Sequence, residues 1–363
     1  MEKKPEQIAY INFDDERLFG LAAQDLNSIY QVLLELNSNP DVFIFDEIQN
    51  IEGWELFLNR LQRKKLNIII TGSNGKLLSK DLATHLTGRH LSMELFPLSC
   101  SEYFNFHKIK DNILINPSTE EKALIYKLAS DYLRSGGFPE VVLGEPAGLY
   151  LRELFNKIIG RDILQRFSIK SIKSLTELAI YLVQNSGSIV SFQRLSKAFG
   201  FKSIHTLKTY FLYLIDCYLI FEVLHFSNKS KEIFTLPRKI YTVDTGLQRA
   251  LSLKPESEIG INLETTVFLQ LQRKNKEIYY IRSAHHEVDF VVCMNGIPEQ
   301  LIQSCWSLND DKTRKREIGG LIHFSKLMEV KNLKIISWDT EEVIKQELVI
   351  IKVVPYWKFC LNE

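Results

Sequence analysis

Short apolar runs alternate with helical patterns in the N-terminal part of the chain, and this alternation constrains the fold more than any other feature. Three apolar runs have the length of strands: residues 8–13, 42–45 and 66–70. Residues 21–36 and 54–63, which lie between them, repeat apolar side chains at helical spacing. Buried strands that alternate with helices favour a parallel α/β sheet.

The rest of the chain divides into three further patterns. Residues 111–167 predict a linker of amphipathic helices. Residues 168–250 predict three helices and then two strands, which is the order of elements in a winged helix-turn-helix. Residues 251–363 predict a helix followed by several strands, a second α/β domain. With residues 1–110 as the first α/β domain, we expect four parts.

Composition limits the partners that the chain as a whole can attract. The 45 Lys and Arg residues almost balance the 44 Asp and Glu residues, so the net charge is only +1. Any basic surface for nucleic acid must therefore be local. The sequence shows no signal peptide and no membrane span, and its five cysteines are scattered without a Cys-x-x-Cys pair. We expect a protein of the reducing cytoplasm with no membrane contact.

Two carboxylates, Asp46 and Glu47, directly follow the apolar run at residues 42–45. An acidic residue at the carboxyl end of a buried parallel strand lies where open α/β sheets bind nucleotides. Asp46 is therefore a candidate for binding Mg²⁺ and the cofactor, and Glu47 a candidate general base for an attacking water. The alternative is a turn that carries a capping acid.

The next apolar run ends in short polar side chains, Ser73 and Asn74. At a neighbouring strand end, Ser73 could contact a γ-phosphate and Asn74 could orient the attacking water. Arg89 follows a glycine, and an arginine there could stabilise transition-state charge on a neighbouring subunit. Taken singly, these residues also fit a plain turn and a surface arginine.

The order of these segments resembles a large prokaryotic family of AAA-type ATP-binding proteins with a conserved C-terminal domain of unknown function. The resemblance rests on residues 10–15, 45–49, 71–74, 86–89, 94–99, 132–140, 159–163, 239–246 and 287–290. It implies that Asp46 and Glu47 are the Walker B pair and that Ser73 and Asn74 occupy the sensor-1 position. It also implies that Arg89 is an arginine-finger candidate and that the cofactors are ATP and Mg²⁺.

One part of the family pattern does not occur in this sequence. The family carries a Gly-x-x-x-x-Gly-Lys-Ser/Thr loop upstream of the strand at residues 8–13, and its amides and lysine bind the phosphates. The segment from Gly72 to Lys76 has the wrong spacing for that loop. We therefore expect a truncated product, with an incomplete P-loop sheet and weak or no nucleotide affinity by itself.

The winged-helix-like part offers a candidate surface for DNA. A helix that begins near Ser203 would direct Lys202, His205, Lys208 and Thr209 outward, where they could contact phosphates or base edges. The alternative is a lid or a docking module for protein, including a second copy of the chain. The basic run at residues 312–316 could also contact phosphates, although a solvated helix start explains it as well.

The C-terminal part resembles the PD-(D/E)XK nuclease core, which uses two carboxylates and a lysine around a metal ion. Glu264 and Asp289 match the carboxylates, but Gln303 stands where the last element needs Glu-x-Lys. We therefore expect a nuclease-like α/β domain without nuclease activity, and cleavage that depends on Asp289 would contradict this.

Two functions remain open from the sequence. The first is an AAA-type ATP-binding protein that hydrolyses Mg-ATP when the missing loop is supplied, with a degenerate nuclease-like tail for recognition. The second is a non-enzymatic module that binds DNA or protein and has lost its ATPase activity.

Overall fold

A computed structural model of the chain describes residues 4–37, 40–72, 90–109, 117–164, 167–252, 259–274, 276–346 and 349–361. The chain forms two units, Met1–Leu95 and Phe96–Glu363. Within the described ranges, no helix is long and apolar enough to cross a membrane.

The first unit is a parallel α/β arrangement. Its strands and helices are β1 (Ile8–Asn12), α1 (Leu26–Leu36), β2 (Val42–Asp46), α2 (Trp54–Arg63) and β3 (Asn67–Ile70). The strands lie in the order β1-β2-β3, and both pairs are parallel. The three strands and the parallel pairing predicted from the apolar runs are confirmed.

The core of the first unit is aromatic and lies on one face of this sheet. Phe43 and Phe45, at alternate positions of β2, pack against Tyr30 of α1 and Phe57 of α2, with ring centroids 5.4 Å apart for Tyr30–Phe43 and 5.6 Å for Phe45–Phe57. The uniformly apolar runs suggest a sheet that is covered on both faces, but the other face is more exposed, and Ile69 there is 50% exposed. The difference arises because α1 and α2 both contribute to the core on the Phe43 face.

The second unit contains the remaining elements. Its helices are α3 (Cys100–Phe106), α4 (Thr119–Ser135), α5 (Pro139–Val142), α6 (Ala147–Lys157), α7 (Ile172–Gln184), α8 (Phe192–Ala198), α9 (Ile204–Asp216), α10 (Ser230–Thr235), α11 (Thr245–Leu251), α12 (Ile259–Arg273), α13 (Asp311–Met328) and α14 (Tyr356–Leu361). Its strands are β4 (Ile189–Val190), β5 (Ile220–His225), β6 (Arg238–Thr242), β7 (Glu277–Arg282), β8 (Glu287–Met294), β9 (Ile297–Cys305), β10 (Asn332–Ser337), β11 (Glu342–Gln346) and β12 (Val349–Pro355). A π-helical segment, Ile158–Leu164, follows α6.

These strands form one mixed nine-stranded sheet in the order β11-β12-β10-β9-β8-β7-β5-β6-β4. The parallel pairing of β5 with β7, through Leu224–Tyr279 and His225–Tyr280, joins the strands of the winged-helix-like part to those of the C-terminal part. The α/β class is therefore confirmed, whereas the winged-helix and nuclease-like subdivisions stay predictions.

A buried carboxylate ties two helices of the second unit together. Asp244 accepts hydrogen bonds from the backbone N–H of Leu247 (2.9 Å), at the start of α11, and of Gly137 (2.7 Å), just after α4. Burial raises the pKa of Asp244 to about 6, against the opposing effect of these N–H groups. The same region is closely packed, because a Cβ atom at Gly137 would lie 2.1 Å from the carbonyl oxygen of Leu98.

The substitution Gly137→Ala should destabilise the second unit. The new methyl group would overlap the Leu98 backbone, which cannot move aside as a flexible side chain would. We expect a loss of about 1–3 kcal/mol in the free energy of unfolding, measured by urea denaturation. Gly148→Ala is the matched control, because a Cβ there meets no atom within 4 Å. Equal stability of the two variants would contradict the close approach at Gly137.

Candidate functional site

The first candidate site lies at the carboxyl end of the three-stranded parallel sheet. Asp46 is the last residue of the middle strand β2 and is level with Asn12, the last residue of β1. Thr71 follows β3, and its backbone N–H donates to the carbonyl of Phe45 at 3.1 Å. Three neighbouring strand ends therefore meet at Asp46, which is the edge where open α/β sheets bind ligands.

The Asp46 carboxylate receives one hydrogen bond from each neighbouring strand. The Tyr10 hydroxyl of β1 donates to Oδ2 at 2.9 Å, and the Thr71 hydroxyl donates to Oδ1. The hydrogen bond to Asp46 raises the pKa of Tyr10, so this hydroxyl stays a donor at neutral pH. These two contacts fix the orientation of a carboxylate that remains partly exposed.

Glu47 turns away from the strand in an uncommon backbone conformation. Its φ of 53° lies in the left-handed region, which costs a residue with a side chain about 1–2 kcal/mol. Its N–H lies 3.4 Å from the Thr71 hydroxyl, and the side-chain amide of Gln49 donates to its carboxylate. Gln49 therefore holds the Glu47 carboxylate beside the strand end.

The structure describes only part of the predicted constellation. Asp46 and Glu47 lie together at the strand end, whereas Ser73, Asn74 and Arg89 lie outside the described residues. Sequence reasoning missed Tyr10. Its signal was the period-2 alternation of β1, which puts Tyr10 on the same face as Asn12 and therefore beside Asp46 once the register is known.

A second polar cluster lies inside the nine-stranded sheet around Lys239 of β6. The Lys239 side chain is only 3% exposed, and its Nζ lies 2.7 Å from Asp289, 2.8 Å from Glu264 and 3.3 Å from Glu287. Glu264 comes from α12, and the other two carboxylates come from β8. One ammonium therefore connects three elements of the second unit.

Burial and mutual repulsion set the charge of this cluster. Burial and the nearby Asp289 raise the pKa of Glu264 to about 7, although Lys239 and the Tyr241 hydroxyl oppose the shift. For Lys239, burial favours the neutral amine, but Asp289 and Glu264 outweigh it and raise its pKa. Lys239 is therefore charged at neutral pH, and Glu264 takes up and releases a proton near neutrality.

Gln303 joins the same cluster through the backbone of β8. Its Oε1 accepts from the Asp289 N–H at 3.1 Å, and its Nε2 donates to Glu317 of α13 at 2.6 Å. The second oxygen of Asp289 accepts from the Ser304 N–H at 2.9 Å. The three residues of the nuclease resemblance, Glu264, Asp289 and Gln303, therefore lie within one connected network.

Lys239 is the residue of this network that sequence reasoning missed. Its signal was weak, because Lys239 follows Arg238 at the start of β6 and only the apolar residues after it suggest burial. A buried lysine needs an acidic partner. Its ammonium lies between the Glu264 and Asp289 carboxylates, where a metal-dependent nuclease would hold its ion. No group of three His, Cys, Asp or Glu side chains in the described part of the chain is arranged to hold a metal ion.

The predicted DNA-contacting residues lie on α9 and the turn before it. Lys202, His205 and Lys208 are exposed, and Thr209 is partly buried.

The substitution Glu264→Gln should make the stability of the protein less dependent on pH. The pKa of Glu264 is about 7 in the fold against an ordinary 4.5, so between these values the folded state binds more protons than the unfolded chain. Stability therefore falls as pH rises through this window. The free energy of unfolding should therefore drop less between about pH 5 and about pH 8 in the variant than in the wild type, by on the order of 1–3 kcal/mol. Urea denaturation at these two pH values measures the difference.

The control for this substitution is Glu177→Gln, because Glu177 forms an exposed ion pair with Lys173 at 3.9 Å. It should leave the dependence on pH as in the wild type. A Glu264→Gln variant with the wild-type dependence on pH would contradict the proton assigned to Glu264.

Comparison with known proteins supports the AAA-type part of the resemblance. A family model described as an AAA domain matches residues 1–104, and a domain of unknown function, DUF8612, matches residues 126–258. Neither description mentions a winged helix or a nuclease. No solved structure matches the chain.

Two relatives extend the likeness over most of the chain. The chain is 35% identical over 374 residues to the uncharacterized protein MJ1544 of Methanocaldococcus jannaschii, and the match covers 98% of this chain and 82% of the relative. It is 30% identical over 294 residues to an uncharacterized protein of Haemophilus influenzae, covering 79% of this chain and 71% of the relative. The chain therefore belongs to the protein family of MJ1544. In this chain the match to the AAA domain precedes the match to the domain of unknown function.

Proposed function

We propose that the chain is an AAA-type nucleotide-binding protein in which Asp46 and Glu47 face the phosphates of Mg-ATP. The observation that carries this proposal is the position of Asp46 at the carboxyl end of the middle strand of a parallel sheet, with Tyr10 and Thr71 from both neighbouring strands holding its carboxylate. Hydrolysis depends on a phosphate-binding loop in addition to these residues.

The side chains at this strand end fit a magnesium ion. Mg²⁺ prefers oxygen ligands and keeps several of its waters, and this strand end offers the carboxylates of Asp46 and Glu47 and the hydroxyl of Thr71. Each Asp46 oxygen accepts one hydrogen bond and therefore keeps a lone pair for a metal-bound water. When bound, the ion offsets the negative charge of the phosphates.

Glu47 is the residue that we assign to water activation. Gln49 donates to its carboxylate and so restricts its orientation at the strand end. A carboxylate held beside the metal-binding Asp46 can accept a proton from an attacking water. Three further residues complete the proposal: Ser73 contacts a phosphate, Asn74 orients the attacking water, and Arg89 acts on a neighbouring subunit. The role of Arg89 implies a homo-oligomer.

Affinity for nucleotide depends on positive charge that the described residues at these strand ends do not offer. A nucleoside triphosphate brings roughly four negative charges, which need an amide nest and a lysine for compensation. The 363-residue sequence contains no Gly-x-x-x-x-Gly-Lys-Ser/Thr segment. We therefore expect the chain by itself to bind ATP weakly, and full affinity to require the loop.

For the second unit we propose recognition or assembly, without cleavage of nucleic acid. A nuclease of the PD-(D/E)XK type needs free carboxylates for its metal ion. In this chain the Lys239 ammonium is already ion-paired with both Glu264 and Asp289.

ATP turnover tests the assignment of Asp46 and Glu47. In a version of the protein in which the Gly-rich loop precedes β1, Glu47→Gln should abolish hydrolysis and keep ATP binding. Asp46→Asn should remove the dependence of binding on Mg²⁺. Glu52→Gln is the matched control, because Glu52 is exposed and lies outside the strand end.

Unchanged turnover in Glu47→Gln would reject its role as general base. Absence of any turnover in the protein with the loop would favour the non-enzymatic alternative. Titration of the 363-residue chain with a fluorescent ATP analogue tests the requirement for the loop, and micromolar binding would contradict it.

A further inference from the structure

The charged residues of the segment around α8 and α9 that precede Asp216 are all basic. Between Glu177 and Asp216 the sequence contains four basic residues, Arg194, Lys197, Lys202 and Lys208, and no acidic residue. The whole chain has a net charge of only +1, so this segment is a local concentration of positive charge. Such a local basic surface is the electrostatic signature of a nucleic-acid-binding element.

The two helices have the connection of a helix-turn-helix. Residues 199–203 join α8 to α9, and Gly200 supplies a positive φ of 65° within this turn. The Ser196 hydroxyl donates to the Phe201 carbonyl at 3.0 Å, and the Ser203 hydroxyl caps α9 by accepting from the His205 N–H at 3.2 Å. These bonds fix the turn, so the angle between the helices does not depend on a partner.

The inner faces of α8 and α9 pack on each other and leave one outer face of α9 to solvent. Phe192 and Phe211 pack edge to face, with ring centroids 5.1 Å apart. Away from this contact, His205 and Leu212 are exposed, and Leu212 is 50% exposed. Lys208 is also exposed and borders the Phe192 ring. Positions 205, 208 and 212 have the spacing of a single helix face, which runs along a helix of 13 residues.

The basic groups of this segment are not neutralised by the protein. Among the described residues, no carboxylate forms an ion pair with Arg194, Lys197, Lys202 or Lys208. The nearest acidic residue of the adjoining ribbon, Glu222, is paired with Arg238. Arg238 and Lys208 lie 4.9 Å and 5.4 Å from the same Phe192 ring, so the ribbon adds no net negative charge beside α9.

We propose that the chain binds double-stranded DNA through this surface, with α9 in the major groove and the lysines and arginine of α8 and the turn on the phosphate backbone. A helix with its side chains is about 10–12 Å wide and fits the major groove of B-form DNA, which is about 12 Å wide. The deep, narrow groove of A-form RNA does not admit such a helix. The N-terminal part of α9 carries His205, which faces the base edges, and Lys208, which contacts the phosphate backbone as the fourth basic residue of the segment.

This inference goes beyond the nucleotide site and does not depend on it. The DNA-contacting residues belong to Phe96–Glu363, whereas Asp46 and Glu47 belong to Met1–Leu95. The Asp46→Asn variant should therefore bind DNA as the wild type does, so a failure of one proposal leaves the other standing.

The test is fluorescence anisotropy of a labelled DNA duplex of about 20 base pairs, titrated with the 363-residue chain at several salt concentrations. Four phosphate contacts predict a slope of log affinity against log salt of about −3.6, so binding should weaken roughly 100-fold between about 50 and 200 mM salt. The double substitution Lys202→Glu and Lys208→Glu should weaken binding at least about tenfold and reduce the slope by about 2.

The matched control is Lys312→Glu with Lys315→Glu, two exposed lysines at the start of α13 that make the same change in charge. It should leave the affinity within about twofold of the wild type and the slope unchanged. Thermal unfolding checks that both variants keep their fold, which we expect because all four lysines are exposed. Lys202→Gln with Lys208→Gln should give a smaller loss in the same direction.

Three results would overturn the proposal. The first is that the wild-type chain fails to bind the duplex at low salt. The second is that the control variant weakens binding as much as the α9 variant does. The third is equal affinity for a duplex RNA of the same sequence, which would exclude insertion of α9 into a B-form groove.

Discussion

The ammonium of Lys239 is the charge around which the second unit is organised. It lies within 3.3 Å of carboxylates from Glu264, Glu287 and Asp289, and so connects β6 with α12 and β8. Without this positive charge, three carboxylates would share a largely buried space, where uncompensated charge is costly. The same lysine therefore bonds the ribbon of the winged-helix-like part to the C-terminal strands, alongside the pairing of β5 with β7.

The same residue sets the charge of this cluster. Its ammonium lies 2.8 Å from Glu264 and 2.7 Å from Asp289, so both carboxylates are paired with a group of the protein itself. At the end of β2, in contrast, hydroxyl groups from Tyr10 and Thr71 orient Asp46 without neutralising it. The carboxylates of these two sites thus have different surroundings, because among the residues that the structure describes only those around Lys239 are paired with a cation.

The proposed DNA-binding surface rests on local charge, because the chain as a whole has almost no net charge. Two acidic residues of the second unit are paired with basic side chains of the same unit, Glu264 with Lys239 and Glu222 with Arg238. The α8–α9 segment has no acidic residue of its own, so its lysines face solvent uncompensated. The net charge of the chain does not predict this basic surface, because the charge of a surface depends on which carboxylates nearby are already paired.

The sequence by itself determined the local elements and the residue types of both sites. Apolar runs predicted β1, β2 and β3 and their parallel pairing, because a strand covered by helices carries few polar residues. The apolar run also predicted that Asp46 and Glu47 lie at the end of a buried strand. Gln303, in place of an acidic residue, already argued against cleavage.

Only the tertiary structure decided which residues meet. Tyr10 lies 36 positions from Asp46, and Lys239 lies 50 positions from Asp289, so local periodicity does not by itself bring either pair together. Strand register brought Tyr10 to Asp46, and the pairing of β5 with β7 brought the winged-helix-like ribbon into one sheet with β8. These contacts follow from packing and charge compensation across the whole fold, because a buried charge takes its partner from whichever element lies beside it.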